Sequence, residues 1–131
     1  MSEIKYKRIL LKVSGEALGE KTSQGDGFGL DFKKIGEVCT SIKACVDMGV
    51  QVGLVIGGGN FWRGVKNGSG KMQRSHADSM GMLATVMNAI AVADVLEQHG
   101  MDARVLTAVE INKFASISSI STLGLRFSIP G

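Results

Sequence analysis

Apolar residues alternate between short runs and periodic stretches along the chain. Residues 6–13, Tyr6-Lys7-Arg8-Ile9-Leu10-Leu11-Lys12-Val13, predict a strand that stops at Ser14-Gly15. Ile35, Val38, Cys39, Ile42, Cys45 and Val46 then recur at three- and four-residue spacing, the signature of an amphipathic helix. Asp31 suits its N-cap and Gly49 its end. The run Val50-Gln51-Val52-Gly53-Leu54-Val55-Ile56 follows at once and reads as a buried strand, because Val and Ile suit a pleated surface covered on both faces. Strand, helix and strand with short joints make a βαβ unit, so the two strands are expected to be parallel.

Residues 79–98 form the longest helical stretch. Met80, Leu83, Val86, Met87, Ile90, Ala93 and Leu96 predict its core-facing stripe, and Met82, Ala89, Val92 and Val95 widen it. A helix apolar on most sides packs against its own sheet and against something else, here a subunit interface. Ser75 or Asp78 is placed to cap it and Gly100 to close it. Residues 103–108 predict a third strand, and 109–113 a further helix or loop. Glycine-rich residues 16–30 and 64–71 read as loops, with Asp26-Gly27-Phe28-Gly29 as a tight turn or a mobile surface segment. From Phe114 the character changes: residues 114–131 hold five serines and one charge, and their partial alternation fits a strand or an aggregation-prone segment.

The chain has 131 residues, the size of one domain, with ordinary hydrophobic and charged fractions of 44% and 21%. A net charge of +3 with no basic block gives no reason to expect nucleic acid. Cys39 and Cys45, six apart in one helix, do not suit structural zinc and read as reduced, packed thiols of a cytoplasmic protein. No run of 18 apolar residues predicts a membrane span, and Met1-Ser2-Glu3-Ile4-Lys5 does not resemble a signal peptide.

The candidate chemistry gathers where the second strand ends. Gly57, Gly58 and Gly59 remove every Cβ there, so backbone N–H groups can approach a ligand, and Arg63 follows as a nearby cation. In an open α/β sheet that end is where ligands bind. Lys12 is a charge at the end of a buried run. It either snorkels to solvent or faces a phosphate beside Ser14 and Gly15. Asp78 either serves the helix dipole or accepts a ligand hydroxyl such as a ribose. Gly68-Ser69-Gly70-Lys71 falls short of a Walker A loop, since Val65 replaces its first glycine and Met72 its Ser or Thr. His76 and His99 have no metal-ligand company.

Residues 6–18 (Tyr6 through Lys12-Val13-Ser14-Gly15-Glu16-Ala17-Leu18), Gly27-Phe28-Gly29, Val55-Ile56-Gly57-Gly58-Gly59-Asn60-Phe61-Trp62-Arg63-Gly64 and the segment from Asp78 to Asn88 together resemble the amino acid kinase superfamily, and within it the bacterial uridylate (UMP) kinases. The resemblance covers about residues 5–112. It implies a three-layer αβα sandwich with a largely parallel sheet, of which this chain holds the N-terminal part. It also implies transfer of the ATP γ-phosphoryl group to UMP, giving UDP, with Mg2+ entering with ATP. A homohexamer follows, with residues 79–98 near a dimer contact, as do GTP activation and UTP inhibition. Carried over by residue, Lys12, Val13, Ser14 and Gly15 resemble the ATP phosphate segment, with Lys12 catalytic. Gly59 and Arg63 resemble further ATP contacts, and Gly58 and Asp78 the UMP contacts. Gln24, Gly25, Asp26, Gly27, Phe28 and Gly29 resemble the segment tied to GTP activation.

After Asn112 the family pattern is lost, so residues 1–112 are expected to form the N-terminal part of a kinase domain and 113–131 a divergent tail. A frameshift, a premature stop or a split gene would each produce that pattern. Little or no activity is expected of the 131 residues alone. Two other readings remain open: a non-catalytic interaction module working through the long helix, and an amino acid kinase acting on a carboxylate or carbamate.

Overall fold

A computed structural model describes residues 5–21, 27–62, 70–107, 116–117 and 124–128. Strand β1 (Arg8–Val13) is followed by a 3-10 turn (Gly15–Leu18) and a two-stranded hairpin, β2 (Glu20–Lys21) and β3 (Gly27–Phe28). The stretch expected to be loop is therefore partly ordered. Helix α1 (Phe32–Asp47) leads into β4 (Gln51–Ile56), which pairs with β1 in parallel, Lys12 opposite Val55 and Val13 opposite Ile56. Helix α2 (Arg74–Gln98), β5 (Asp102–Thr107), β6 (Ser116–Ile117) and β7 (Gly124–Ser128) complete the chain. The main sheet has the order β1-β4-β7-β5-β6. β7 is antiparallel to both neighbours, whereas β1 pairs with β4 and β5 with β6 in parallel.

Local chemistry sets the helix ends. The Asp31 carboxylate accepts from Lys33 N at 3.0 Å and Lys34 N at 3.4 Å, as an N-cap should. Both helices close in the same six-residue motif. Gly49 (φ 92°) donates to Val46 O and Val50 N to Cys45 O; Gly100 (φ 83°) donates to Glu97 O and Met101 N to Leu96 O. Neither Ser75 nor Asp78 caps α2. The helix begins earlier than expected, at Arg74, with Gln73 at the cap position and no side-chain cap bond.

The core lies between the two helices and one face of the sheet. Ile35, Cys39, Ile42 and Val46 of α1 and Val92, Ala93 and Leu96 of α2 pack with Val52, Leu54 and Ile56. The expected stripe of α2 is corrected in part. Met80, Leu83, Met87 and Ile90 are exposed, while Ala77, Ala84, Asn88, Ala89 and Val92 are buried. Small residues face inward because the helix approaches a glycine-bearing loop and the sheet closely, and the bulky stripe is left outside. Among the described residues the helices cover one sheet face only. Leu10, 75% exposed, stands on the other. The described residues thus form two of the layers of an α/β fold.

Candidate functional site

The carboxyl ends of β1 and β4 lie side by side, and the chain leaves both through glycine. The Gly57 N–H donates to Val13 O at 2.9 Å, which extends the ladder one step past the strands. Ser14 and Gly15 then cross over the second glycine segment. A Cβ placed on Gly15 would lie 2.5 Å from Gly59 N and 2.7 Å from Asn60 Oδ1. No side chain fits that gap, so the close crossing is the reason for glycine there. A Cβ on Gly58 would lie 2.9 Å from Ala84 Cβ and 3.0 Å from Gly81 O. Gly58 therefore lets the loop rest directly on α2.

The loop is clamped from below by two buried amides. Asn60 and Asn88 are 1% and 0% exposed. Asn88 Nδ2 donates to Gly57 O at 2.7 Å and to Asn60 Oδ1 at 2.6 Å. Asn60 Nδ2 donates to Gly29 O at 2.6 Å and to Asn88 Oδ1 at 3.0 Å. Two backbone carbonyls can only accept, so they fix which amide atom is nitrogen at both residues. Gly29 N returns a bond to Asn60 O at 3.0 Å. Trp62 Nε1 donates to Ala77 O at 2.8 Å, which pins the loop's far end to α2. Phe61 meets Phe28 edge to face, with ring centroids 6.3 Å apart. The glycine loop is thereby tied to the β2–β3 hairpin and to α2.

The structure brings most of the sequence-derived candidates together. Val13, Ser14, Gly15, Gly58 and Gly59 share the edge just described. Lys12 is exposed beside it, on the sheet face that carries Leu10 and not the helices. Gly27, Phe28 and Gly29 border it through the Gly29–Asn60 bonds. Asp78 follows the Ala77 carbonyl that receives Trp62, but its own carboxylate pairs with Arg74 Nε at 3.1 Å in an exposed i,i+4 bridge. Arg63, Gln24, Gly25 and Asp26 lie outside the described residues.

Sequence reasoning assigned no role to Asn60, Asn88 or Glu16. The Glu16 carboxylate packs against Gly59 and would meet any Cβ placed there. The available signal for the amides was a pair of Asn residues at positions otherwise surrounded by apolar and small residues. Buried amides need partners, and each supplies the other's. Of the thiols, both free, Cys39 is buried and burial pushes its pKa up to about 11. It lies in the core, away from the glycine edge. Among the described residues no three His, Cys, Asp or Glu side chains converge to hold a metal ion.

Comparison with known proteins agrees with this geometry. The chain is similar to UMP kinase from Bacillus anthracis, with 34% identity and a TM-score of 0.76 over 88% of this chain and 46% of that one. It is similar to UMP kinase from Ureaplasma parvum, with 31% identity and a TM-score of 0.74 over 88% of this chain and 47% of that one. The chain thus spans about half the length of the solved structures it matches. A model of the amino acid kinase family matches residues 7–127, and with its crossed glycine segments at the ends of two parallel strands the chain belongs to the amino acid kinase family.

Proposed function

We propose that this chain carries the phosphate-facing part of a UMP kinase, which moves the ATP γ-phosphoryl group to UMP and gives UDP. The observation that supports the reading best is the crossing of Ser14-Gly15 over Gly57-Gly58-Gly59 at one sheet edge, with Lys12 exposed beside it. Likeness to two UMP kinases favours this acceptor over a carboxylate or carbamate.

Phosphoryl transfer requires little covalent work from protein. It needs the two substrates held in line and positive charge on the non-bridging oxygens. In this reading the Lys12 ammonium supplies that charge at the transferring group. Backbone at Val13, Ser14, Gly15 and Gly59 borders the ATP phosphates, with Arg63 as a second cation. Gly58 and Asp78 receive UMP, Asp78 through a ribose hydroxyl after leaving Arg74. Magnesium arrives as part of the magnesium–ATP substrate. The hairpin bearing Gly27, Phe28 and Gly29 is joined to the glycine loop by Asn60, a route by which a GTP-linked change could reach the substrates; UTP would oppose it. The reaction belongs to the cytoplasm, where these nucleotides occur.

Because the matched structures extend well beyond the shared part, the 131 residues are expected to bind nucleotide more readily than they turn it over. Calorimetric titration of the purified chain tests the reading. UMP should bind in preference to acetylglutamate and carbamoyl phosphate, and Asp78→Asn should weaken UMP at least tenfold. Preference for a carboxylate, or an unchanged UMP affinity in that variant, would defeat it.

A second reading has its own observation. Met80, Leu83, Met87 and Ile90 form an exposed stripe along α2, Met87 being 52% exposed. We expect α2 to join subunits of a homo-oligomer through this stripe, a hexamer in the family pattern. Sedimentation should show Met87→Glu shifting the chain toward monomer; an unchanged distribution would remove the idea.

A further inference from the structure

Asn60 and Asn88 are buried, yet their hydrogen bonds run in one fixed direction out to the glycine loop. Gly29 O can only accept, so it fixes Asn60 Nδ2 on its own side. Asn60 Oδ1 is then the acceptor that faces Asn88, and Asn88 Nδ2 donates to it at 2.6 Å. The same Nδ2 donates to Gly57 O at 2.7 Å. This relay ends on the peptide between Gly57 and Gly58. That peptide is trans, so its C=O and N–H point in opposite directions. With Gly57 O drawn toward Asn88, the Gly58 N–H is directed away from it. Among the described residues nothing accepts from that N–H.

We propose that Asn88, held in its orientation by Asn60, is a positioning residue for the nucleotide site: it sets the 57–58 peptide so that the Gly58 N–H meets a phosphoryl oxygen. This rests on the reading of the glycine edge as a phosphate seat. Two observations carry it. First, the peptide has a glycine on either side, and without a Cβ the backbone there turns over at little steric cost. The bond from Asn88 is what selects one of its two orientations. Second, the N–H left over by that choice has no partner in the protein as described, and such a group calls for a water or a ligand. A phosphoryl oxygen, charged and acceptor-only, makes the stronger bond. Without Asn88 the peptide is free to turn, and the site then presents a carbonyl where a phosphate needs a donor.

The test titrates inorganic pyrophosphate into the isotope-labelled full chain and follows the Gly58 amide resonance. That resonance should shift in the unaltered chain, and Asn88→Ala should weaken pyrophosphate about tenfold, the loss of one charge-assisted hydrogen bond. Val92→Ala opens a space in the buried face of α2 one turn further on and leaves the bond to Gly57 O in place. It should lose stability yet hold its affinity within about twofold, which a purely structural role for Asn88 would not allow. Equal weakening in both variants, undiminished affinity in Asn88→Ala, or no shift at Gly58 in the unaltered chain would overturn the proposal. UMP titrated in parallel separates it from the assignment of the acceptor. Pyrophosphate sensed at Gly58 and lost in Asn88→Ala, with UMP ignored, would uphold the positioning role and defeat the UMP reading. Hydrogen exchange on the unaltered chain decides if Asn88→Ala does not fold. The Asn88 side-chain amide protons should exchange about a hundredfold more slowly than those of the exposed Gln51, and the Gly58 N–H should be unprotected until pyrophosphate is added. Asn88 exchanging as fast as Gln51, or a Gly58 N–H protected beforehand, would equally overturn it.

Discussion

Replacing Asn88 by alanine removes one half of the amide pair beneath the glycine loop. Three groups lose their partner: Gly57 O, Asn60 Oδ1 and one N–H of Asn60 Nδ2. Two of those bonds are buried and one is partly buried. A buried polar group left unsatisfied costs about 1–3 kcal/mol. Partial hydration of the new space lowers the sum, so a loss of about 3 kcal/mol is expected. Against a total of about 5–15 kcal/mol for a domain, that is a large fraction. The melting temperature should fall by about 10 °C, at several degrees per kcal/mol for a chain of this size. Urea unfolding followed by far-UV circular dichroism gives the global value. Trp62, the single tryptophan, reports the loop itself by fluorescence, since its indole bonds to Ala77 O. The double variant with Asn60→Ala is the decisive control. Because the pair is reciprocal, the two losses should overlap by about 1–3 kcal/mol. A loss below about 1 kcal/mol in Asn88→Ala, or strict additivity, would refute the argument.

Other expectations follow from the same geometry. Gly58→Ala should cost about 1–3 kcal/mol by pushing α2 away from the loop. Gly36→Ala in α1, where an added Cβ meets nothing within 4 Å, should gain about 0.5–1 kcal/mol in the same denaturation assay. Lys12→Ala should leave stability within about 0.5 kcal/mol, since Lys12 is exposed, while abolishing phosphoryl transfer in any assembly that turns over. Cys39 holds its proton more tightly when folded, so its contribution is fully present below pH 9.0. That contribution, about 3 kcal/mol, is lost as the pH rises toward 11, because the unfolded thiol ionises first. Cys39→Ala should flatten that alkaline slope. At pH 8 native iodoacetamide labelling should reach Cys45 and spare Cys39.

The elements with strong local signals were legible from residues. The period of Ile35, Cys39, Ile42 and Val46 gave α1 and its buried face. Asp31, Gly49 and Gly100 marked helix ends because caps are settled within a few residues of backbone. The glycine edge was also legible, since three glycines after a β-branched run have few other uses. The inward face of α2 was not. It is apolar nearly all round, so periodicity could not choose a side, and close approach to Gly58 selected the small residues. The start of α2 was missed because no side chain caps it.

The sequence alone determined β1, β4, β5 and the two helices, where those helices stop, and that a glycine-lined edge exists, because each depends on neighbours a few residues away. The tertiary structure decided what that edge is made of. Gly15 is glycine because Gly59 and Asn60 cross it, Gly58 because α2 does, and Asn60 because Asn88, 28 residues distant, returns its hydrogen bonds. It also decided that β7 lies between β4 and β5. Such contacts are set by which surfaces meet when the chain collapses, and local pattern carries no record of the partner.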